Sequence, residues 1–178
     1  MDKRLFEMEL DKVIEEQSKK DDEINKIIYE AINKIISSEN INTQRCIIIL
    51  IEEINELVME YTLFKCGMHG NNSVLEEIAD VLISIEAFSK LLNLDAYYMR
   101  PFSVCKVKNN PEIYLLALQK ELCKLVRGKV NYEVLSCKLK YALDAVENII
   151  IDCNRTNNDI KLAKYIKAKR IMDHEEFK

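Results

Sequence analysis

Four carboxylates have the spacing most suited to chemistry. Glu53 and Glu56 lie three positions apart, as do Glu77 and Asp80, and on a helix a step of three brings side chains out on one side with β-carbons roughly 5–6 Å apart. If the two segments form an antiparallel helical hairpin across the Gly/Asn-rich turn at 67–72, the pairs face each other and all four groups converge. Grouped carboxylates raise one another's pKa and are costly to bury unless a cation compensates them. Magnesium suits such a set because it is hard, prefers oxygen ligands, retains water and binds substrate phosphates; manganese favours the same donors.

The apolar neighbours argue for an inward orientation. Leu50, Ile54, Leu57 and Val58 surround Glu53, and Leu75, Ile78, Ala79, Val81, Leu82 and Ile85 accompany Glu77 and Asp80. Paired glutamates at this spacing also occur on ordinary solvated helices, so the argument rests on two pairs falling on adjacent helices. Glu52 and Glu76 point about 100° away from the motif positions and read as groups behind the metal ligands or, by preference, as solvent-facing. A di-iron bundle needs a Glu-x-x-His signature, which is absent; the only histidines, His69 and His174, fall in a turn and in the terminal tail. No GxxxxGK phosphate loop is present either.

These residues need long helices to position them, and the composition allows it. Only three Gly and two Pro interrupt 178 residues that are 48% hydrophobic and 31% charged, which predicts a single all-helical domain over 1–178. The net charge of −4 gives no basic footprint for polymeric nucleic acid. No apolar run is long enough for a signal peptide or a membrane span, so the chain reads as cytoplasmic. The six cysteines include no CxxC pair, and Cys46, Cys123, Cys137 and Cys153 read as reduced core residues.

Periodicity predicts about seven helices and no strand. A broad apolar stripe covers 2–20. Ile24, Ile27, Ile28, Ala31, Ile32, Ile35 and Ile36 mark the second helix, with Asp21 or Asp22 as its cap. The motif hairpin follows at 43–92, where Ser73 and Glu76 have capping-box spacing. The stretch 93–110 is irregular. Asn110 then caps a helix opening on Pro111, Asn131 caps another that runs to about Cys153, and a last helix covers about 159–172.

At the acidic motif the sequence resembles the MazG-like, all-α nucleoside triphosphate pyrophosphohydrolase superfamily, which includes dimeric dUTPase-like enzymes. The family pattern of ExxE on one helix and ExxD on the next reads here as Glu53-Ile54-Asn55-Glu56 and Glu77-Ile78-Ala79-Asp80, within IEEINEL and LEEIADVL. The resemblance covers about 43–92. It implies hydrolysis between the α and β phosphates of a nucleoside triphosphate, with a deoxynucleotide or noncanonical nucleotide as substrate. It also implies magnesium on Glu53, Glu56, Glu77 and Asp80, with Glu53 as the group that orients the attacking water. Family enzymes recruit basic side chains from a following helix, which nominates Lys164, Lys167 and Arg170 as phosphate contacts. Here the charges at Lys161, Lys164, Lys167, Lys169 and Arg170 read equally as a solvated face.

The segment 111–153 reads as a degenerate second hairpin. Laying 118–126 over 50–58 and 139–145 over 75–81 keeps Glu121 and Asp144 but puts Lys124 in place of Glu56 and Tyr141 in place of Glu77. Two such hairpins would make a four-helix core in one chain, with one acidic cluster and with Lys124 available to phosphate. An exposed apolar face on the isoleucine-rich helix would instead favour a homodimer, and the sequence leaves both arrangements open. A catalytically inactive helical interaction or regulatory module is the alternative to an enzyme. Tyr61, Phe64, Phe88, Tyr97, Tyr98 and Phe102 serve equally as core or as base-stacking groups.

Overall fold

A computed structural model describes Phe6, Met8 and residues 21–38, 41–68, 70–94, 110–129 and 131–173. These form an all-helical bundle, with no strand among the described residues: α1 (Asp21–Ser37), α2 (Thr43–Lys65), α3 (Asn71–Leu91), α4 (Pro111–Val126), α5 (Tyr132–Asp152) and α6 (Asn157–Asp173). Phe6 and Met8 are helical; the rest of the helix expected over 2–20 lies outside the described residues, as do 95–109, Cys105, Tyr97, Tyr98, Phe102 and both histidines. No described helix is long and apolar enough to cross a membrane.

The isoleucines of α1 recur at helical steps, and Ile24, Ile28, Ala31, Ile32 and Ile35 are buried against α6 and α3. That face is covered within the chain rather than exposed. At its end Lys34 Nζ donates to the carbonyls of Ile171 (3.0 Å) and Met172 (2.7 Å), placing a cation where the last carbonyls of α6 lack helical partners.

α2 begins where Asn42 Oδ1 accepts from Arg45 N–H at 2.9 Å, a side-chain N-cap. It ends at Gly67, whose φ of +72° suits a residue without a Cβ. The hairpin interior is formed by Leu50, Ile54, Leu57 and Tyr61 from α2 and by Leu75, Ile78, Val81 and Ile85 from α3, all buried. The expected capping box at Ser73 and Glu76 does not form. Helix α3 starts earlier, at Asn71, with Gly70 as N-cap, and Glu76 turns its carboxylate towards α6.

Pro111 opens α4, and Asn131 caps α5 by accepting from Glu133 and Val134 N–H. These two helices pack together, and α4 runs alongside α2. Gln119 Nε2 donates to Asn55 Oδ1 at 3.1 Å, and Lys65 pairs with Glu112, so α2 and α4 are antiparallel. The Tyr61 hydroxyl donates to Asp152, tying the ends of α2 and α5. Burial and this carboxylate push the phenol's pKa well above the usual tyrosine range.

Helix ends repeat along the chain. Gly67 and Gly128 take φ of +72° and +67°, while Asn93 and Asn154 take +53° and +52°; each pair is 61 positions apart. Buried Leu50, Ile54, Leu57 and Glu60 map at this offset onto buried Pro111, Leu115, Leu118 and Glu121. The overlay suggested by the sequence requires two different offsets, whereas these landmarks share one. On it Glu53, Glu56, Glu77 and Asp80 correspond to Tyr114, Ala117, Lys138 and Tyr141. The rings of Tyr114 and Tyr141 meet edge to face at 6.0 Å.

α6 packs on both α1 and α3. Its residues Ile160, Leu162, Ala163, Tyr165, Ile166, Lys167 and Ala168 are buried, a run that passes around the whole helix rather than down one stripe. The basic helix is therefore an interior element, and Lys167 is only 6% exposed.

None of the five described cysteines is in a disulfide. Cys46 and Cys153 are buried, as expected, and Cys137 is partly so. Cys123 is exposed, because its position on α4 looks away from both α2 and α5, and the core expectation fails there.

Candidate metal centre

The packing of α2 against α3 brings carboxylates from both helices together. One oxygen each from Glu53, Glu56 and Glu77 lies within 4.8 Å of the others. Glu53 and Glu77 are half-buried and Glu56 is exposed. Glu77 Oε2 is buried with no hydrogen-bond partner, which is expensive for a carboxylate unless something positive completes it.

The electrostatics agree. Burial, followed by the charges of Asp80 and Glu56, pushes Glu53 up to about 8, with Lys167 opposing. Burial and then Asp80 push Glu77 up to about 8. Asp80 is raised to about 6 by burial, against the pull of Lys167. A magnesium ion with oxygen ligands at about 2.1 Å needs oxygens about 3 Å apart as neighbours and about 4.2 Å apart across the octahedron. The three glutamate oxygens reach that spacing with small side-chain adjustments, so the donor set fits a hard divalent cation with one exposed side left for water or a ligand.

Asp80, the fourth motif carboxylate, is used differently. Its Oδ2 accepts from Lys167 Nζ, and the same ammonium lies 2.9 Å from Glu76 Oε1. Arg170 approaches Glu76 at 3.5 Å. Burial works to lower the pKa of Lys167, but Asp80 and Glu76 outweigh it, and the net direction is upward. Glu76 is only 3% exposed, so the expectation of a solvent-facing group is corrected: it is the interior counter-ion of α6. The sequence signal for it is weak, since Glu76 sits off the motif face and its partner lies 91 positions downstream.

The remaining basic candidates lie apart from the triad. Lys164, one turn from Lys167, pairs with Glu86 on α3. Lys124 is exposed on α4 and pairs with Glu121 at 2.7 Å.

Beside the acidic cluster is a cleft of about 160 Å³ with Cys46, Ile49, Ile83 and Ala87 in its walls, Ser84 as its neutral hydroxyl, and Glu53 and Asp80 at its edge. A larger, open groove of about 420 Å³ between α1, α3 and α6 contains Lys90, Lys161 and Lys164. These cations stack on Tyr29 or pair with Asp21 and Glu86, and the groove holds none of the triad.

The raised pKa values give a pH prediction. In the unfolded chain Glu53 and Glu77 lose their protons near 4.5, whereas in the folded chain they keep them to about 8. Between these values the folded state binds more protons, so metal-free stability falls as pH rises from about 4.5 to 8 and stays low above it. Magnesium competes with those protons, so its stabilising effect grows over the same interval. Thermal midpoints from pH 5 to 9, in chelator and in magnesium, check this. A magnesium effect independent of pH would contradict it, and Glu53→Gln/Glu77→Gln is expected to flatten the difference.

Compared with protein-family models, with curated proteins and with solved structures, the chain finds no match.

Proposed function

We propose that the chain is a magnesium-dependent nucleoside triphosphate pyrophosphohydrolase of the MazG-like kind, acting on a deoxynucleotide or noncanonical nucleotide and releasing the monophosphate and pyrophosphate. The observation that carries this reading is the convergence of Glu53, Glu56 and Glu77 from the ExxE and ExxD positions. Glu53, Glu56 and Glu77 would hold the ion, with manganese as a substitute. When bound, magnesium supplies Lewis-acid polarisation of the phosphoryl group and neutralises the leaving pyrophosphate.

Glu53 borders both the triad and the cleft, which supports its assignment as the group that orients the attacking water and takes its proton. Oxygen of that water bonds to the α phosphorus, the bond from this phosphorus to the bridging oxygen breaks, and the bridging oxygen leaves with pyrophosphate. The apolar cleft excludes water from the nucleoside, and Ser84 offers it a hydrogen bond. Lys167 orients Asp80 and Glu76. Arg170, which approaches Glu76 at 3.5 Å, is the basic group beside the cluster that would meet phosphate, while Lys164 is paired with Glu86 and Lys124 with Glu121. The shared offset of 61 and the matching burial support a tandem pair of hairpins forming a four-helix core. The second hairpin is degenerate, with a tyrosine pair at the acidic position. The reading implies a cytoplasmic small-molecule enzyme.

A second reading, an inactive helical interaction module, is favoured by one observation: Lys167 occupies Asp80. Incubation with canonical and modified NTPs and dNTPs, in magnesium or manganese, decides between them. Monophosphate and pyrophosphate are the expected products. Diphosphate with orthophosphate would overturn the assigned bond, and no turnover of any nucleotide would favour the interaction module.

The cleft gives a separate prediction. Ser84→Leu is expected to raise KM for the nucleotide about tenfold or more, the equivalent of about 1.4 kcal/mol, with metal binding unchanged. An unaltered KM would remove the nucleoside from this cleft.

A further inference from the structure

Five carboxylates crowd this end of α2 and α3, yet only three of them share a common point. Glu53, Glu56 and Glu77 form the triad, whereas Asp80 and Glu76 turn to Lys167. We propose that Lys167 is a tethered counter-cation filling, between Asp80 and Glu76, the place a second divalent ion would take, so that in the absence of nucleotide the chain binds one ion, on the triad alone. This rests on reading the triad as a metal centre.

Burial and charge both support it. Lys167 is 6% exposed, a state that an ammonium tolerates only when paired, and two of its three protons are directed to carboxylates. The far side of the site is closed: the buried Phe6 ring lies 5.8 Å from Lys167 Nζ and 5.6 Å from the Arg170 guanidinium carbon, both within cation–π range. With every group ionised, five carboxylates against Lys167 and Arg170 leave three negative charges. One divalent ion reduces this to one, and a second would reverse the sign. A covalently held ammonium also cannot diffuse away, so an incoming ion must displace it from buried Glu76 and half-buried Asp80 at once.

Manganese binding, counted by the loss of the free aqua-ion signal in electron paramagnetic resonance, tests the proposal without reference to turnover. Wild type is expected to bind one ion per chain. Lys167→Met frees Asp80, leaves Glu76 with Arg170 alone, and is expected to bind two. Asp80→Asn is expected to keep one ion with Kd within about tenfold of wild type, while Glu77→Gln weakens binding by more than about a hundredfold. Two ions on wild type would overturn this proposal and leave the metal centre standing; no ion on wild type would overturn both. A folded Lys167→Met that still binds one ion, or loss of binding in Asp80→Asn, would also overturn it. Helical circular dichroism reports folding, and if Lys167→Met does not fold, the wild-type and Asp80→Asn counts decide the matter.

Discussion

Glu53→Gln is expected to lower kcat for pyrophosphate release by about 10²–10⁴-fold, the range associated with loss of a positioned general base, while the metal-free protein becomes more stable. The two effects have one cause. Burial and the neighbouring Asp80 and Glu56 charges hold Glu53 at about 8, so above that pH the folded chain carries an ionised group that the unfolded chain accommodates more easily. Glutamine keeps the shape of the protonated acid and removes that cost. In chelator the gain is therefore expected to grow from about pH 4.5 to about 8 and to level off above it, at on the order of 2–4 °C in thermal midpoint for each kcal/mol relieved. In magnesium the order reverses, because wild type gains a ligand that the variant binds poorly. A variant more stable without metal, less stable with it and slow in turnover would show that strain is retained for function. If Glu53→Gln kept wild-type turnover, another carboxylate would have to orient the water.

How far this centre was legible depends on which contacts are local. The step of three between Glu53 and Glu56, and again between Glu77 and Asp80, is a property of one helix each, and the turn at Gly67 joins two helices whose apolar faces can meet only as a hairpin. The bounds of α2, Thr43–Lys65, follow from Asn42, the unbroken periodicity and Gly67, and sequence alone reaches them. Asp80 shows where this stops. Its spacing is that of a metal ligand, yet its oxygen is taken by an ammonium 87 positions away, and no periodicity links α3 to α6.

Misreadings elsewhere have the same origin. Ser73 and Glu76 match a capping box, but that pattern is local and modest in energy, and a buried Lys167 and Arg170 outcompete it for the Glu76 carboxylate. Helix α6 looks solvated because Lys161, Lys164, Lys167 and Arg170 recur at steps of three and turn up between its apolar residues. Each reaches a carboxylate on a neighbouring helix or the acidic cluster, so the charged side packs instead of facing water. Long lysine stems allow this, since their methylenes lie along apolar surface while the head finds its partner. The offset of 61 shared by Gly67 with Gly128 and by Asn93 with Asn154 is a matter of backbone conformation, which residue identity alone does not display.

Lys167→Met is expected to destabilise the metal-free protein by roughly 3–5 kcal/mol, the usual cost of removing one partner from a buried ion pair, or about 6–20 °C in thermal midpoint for a chain of this length. Methionine preserves much of the stem's volume, so packing alone predicts a small change. The loss comes from Glu76, 3% exposed, and from Asp80, both left without the ammonium they share. Two rescues separate these causes. Adding Glu76→Gln and Asp80→Asn to Lys167→Met removes the uncompensated charges and is expected to recover most of the midpoint, a coupling measurable by a mutant cycle. Adding manganese to Lys167→Met should also recover it, by supplying two positive charges where one was lost. Failure of the triple variant to recover would assign the loss to packing of α6 against α3. Recovery by the triple variant but not by manganese would mean that Lys167 neutralises Glu76 and Asp80 in a pocket that a divalent ion does not enter, so that its role is confined to holding the helices together.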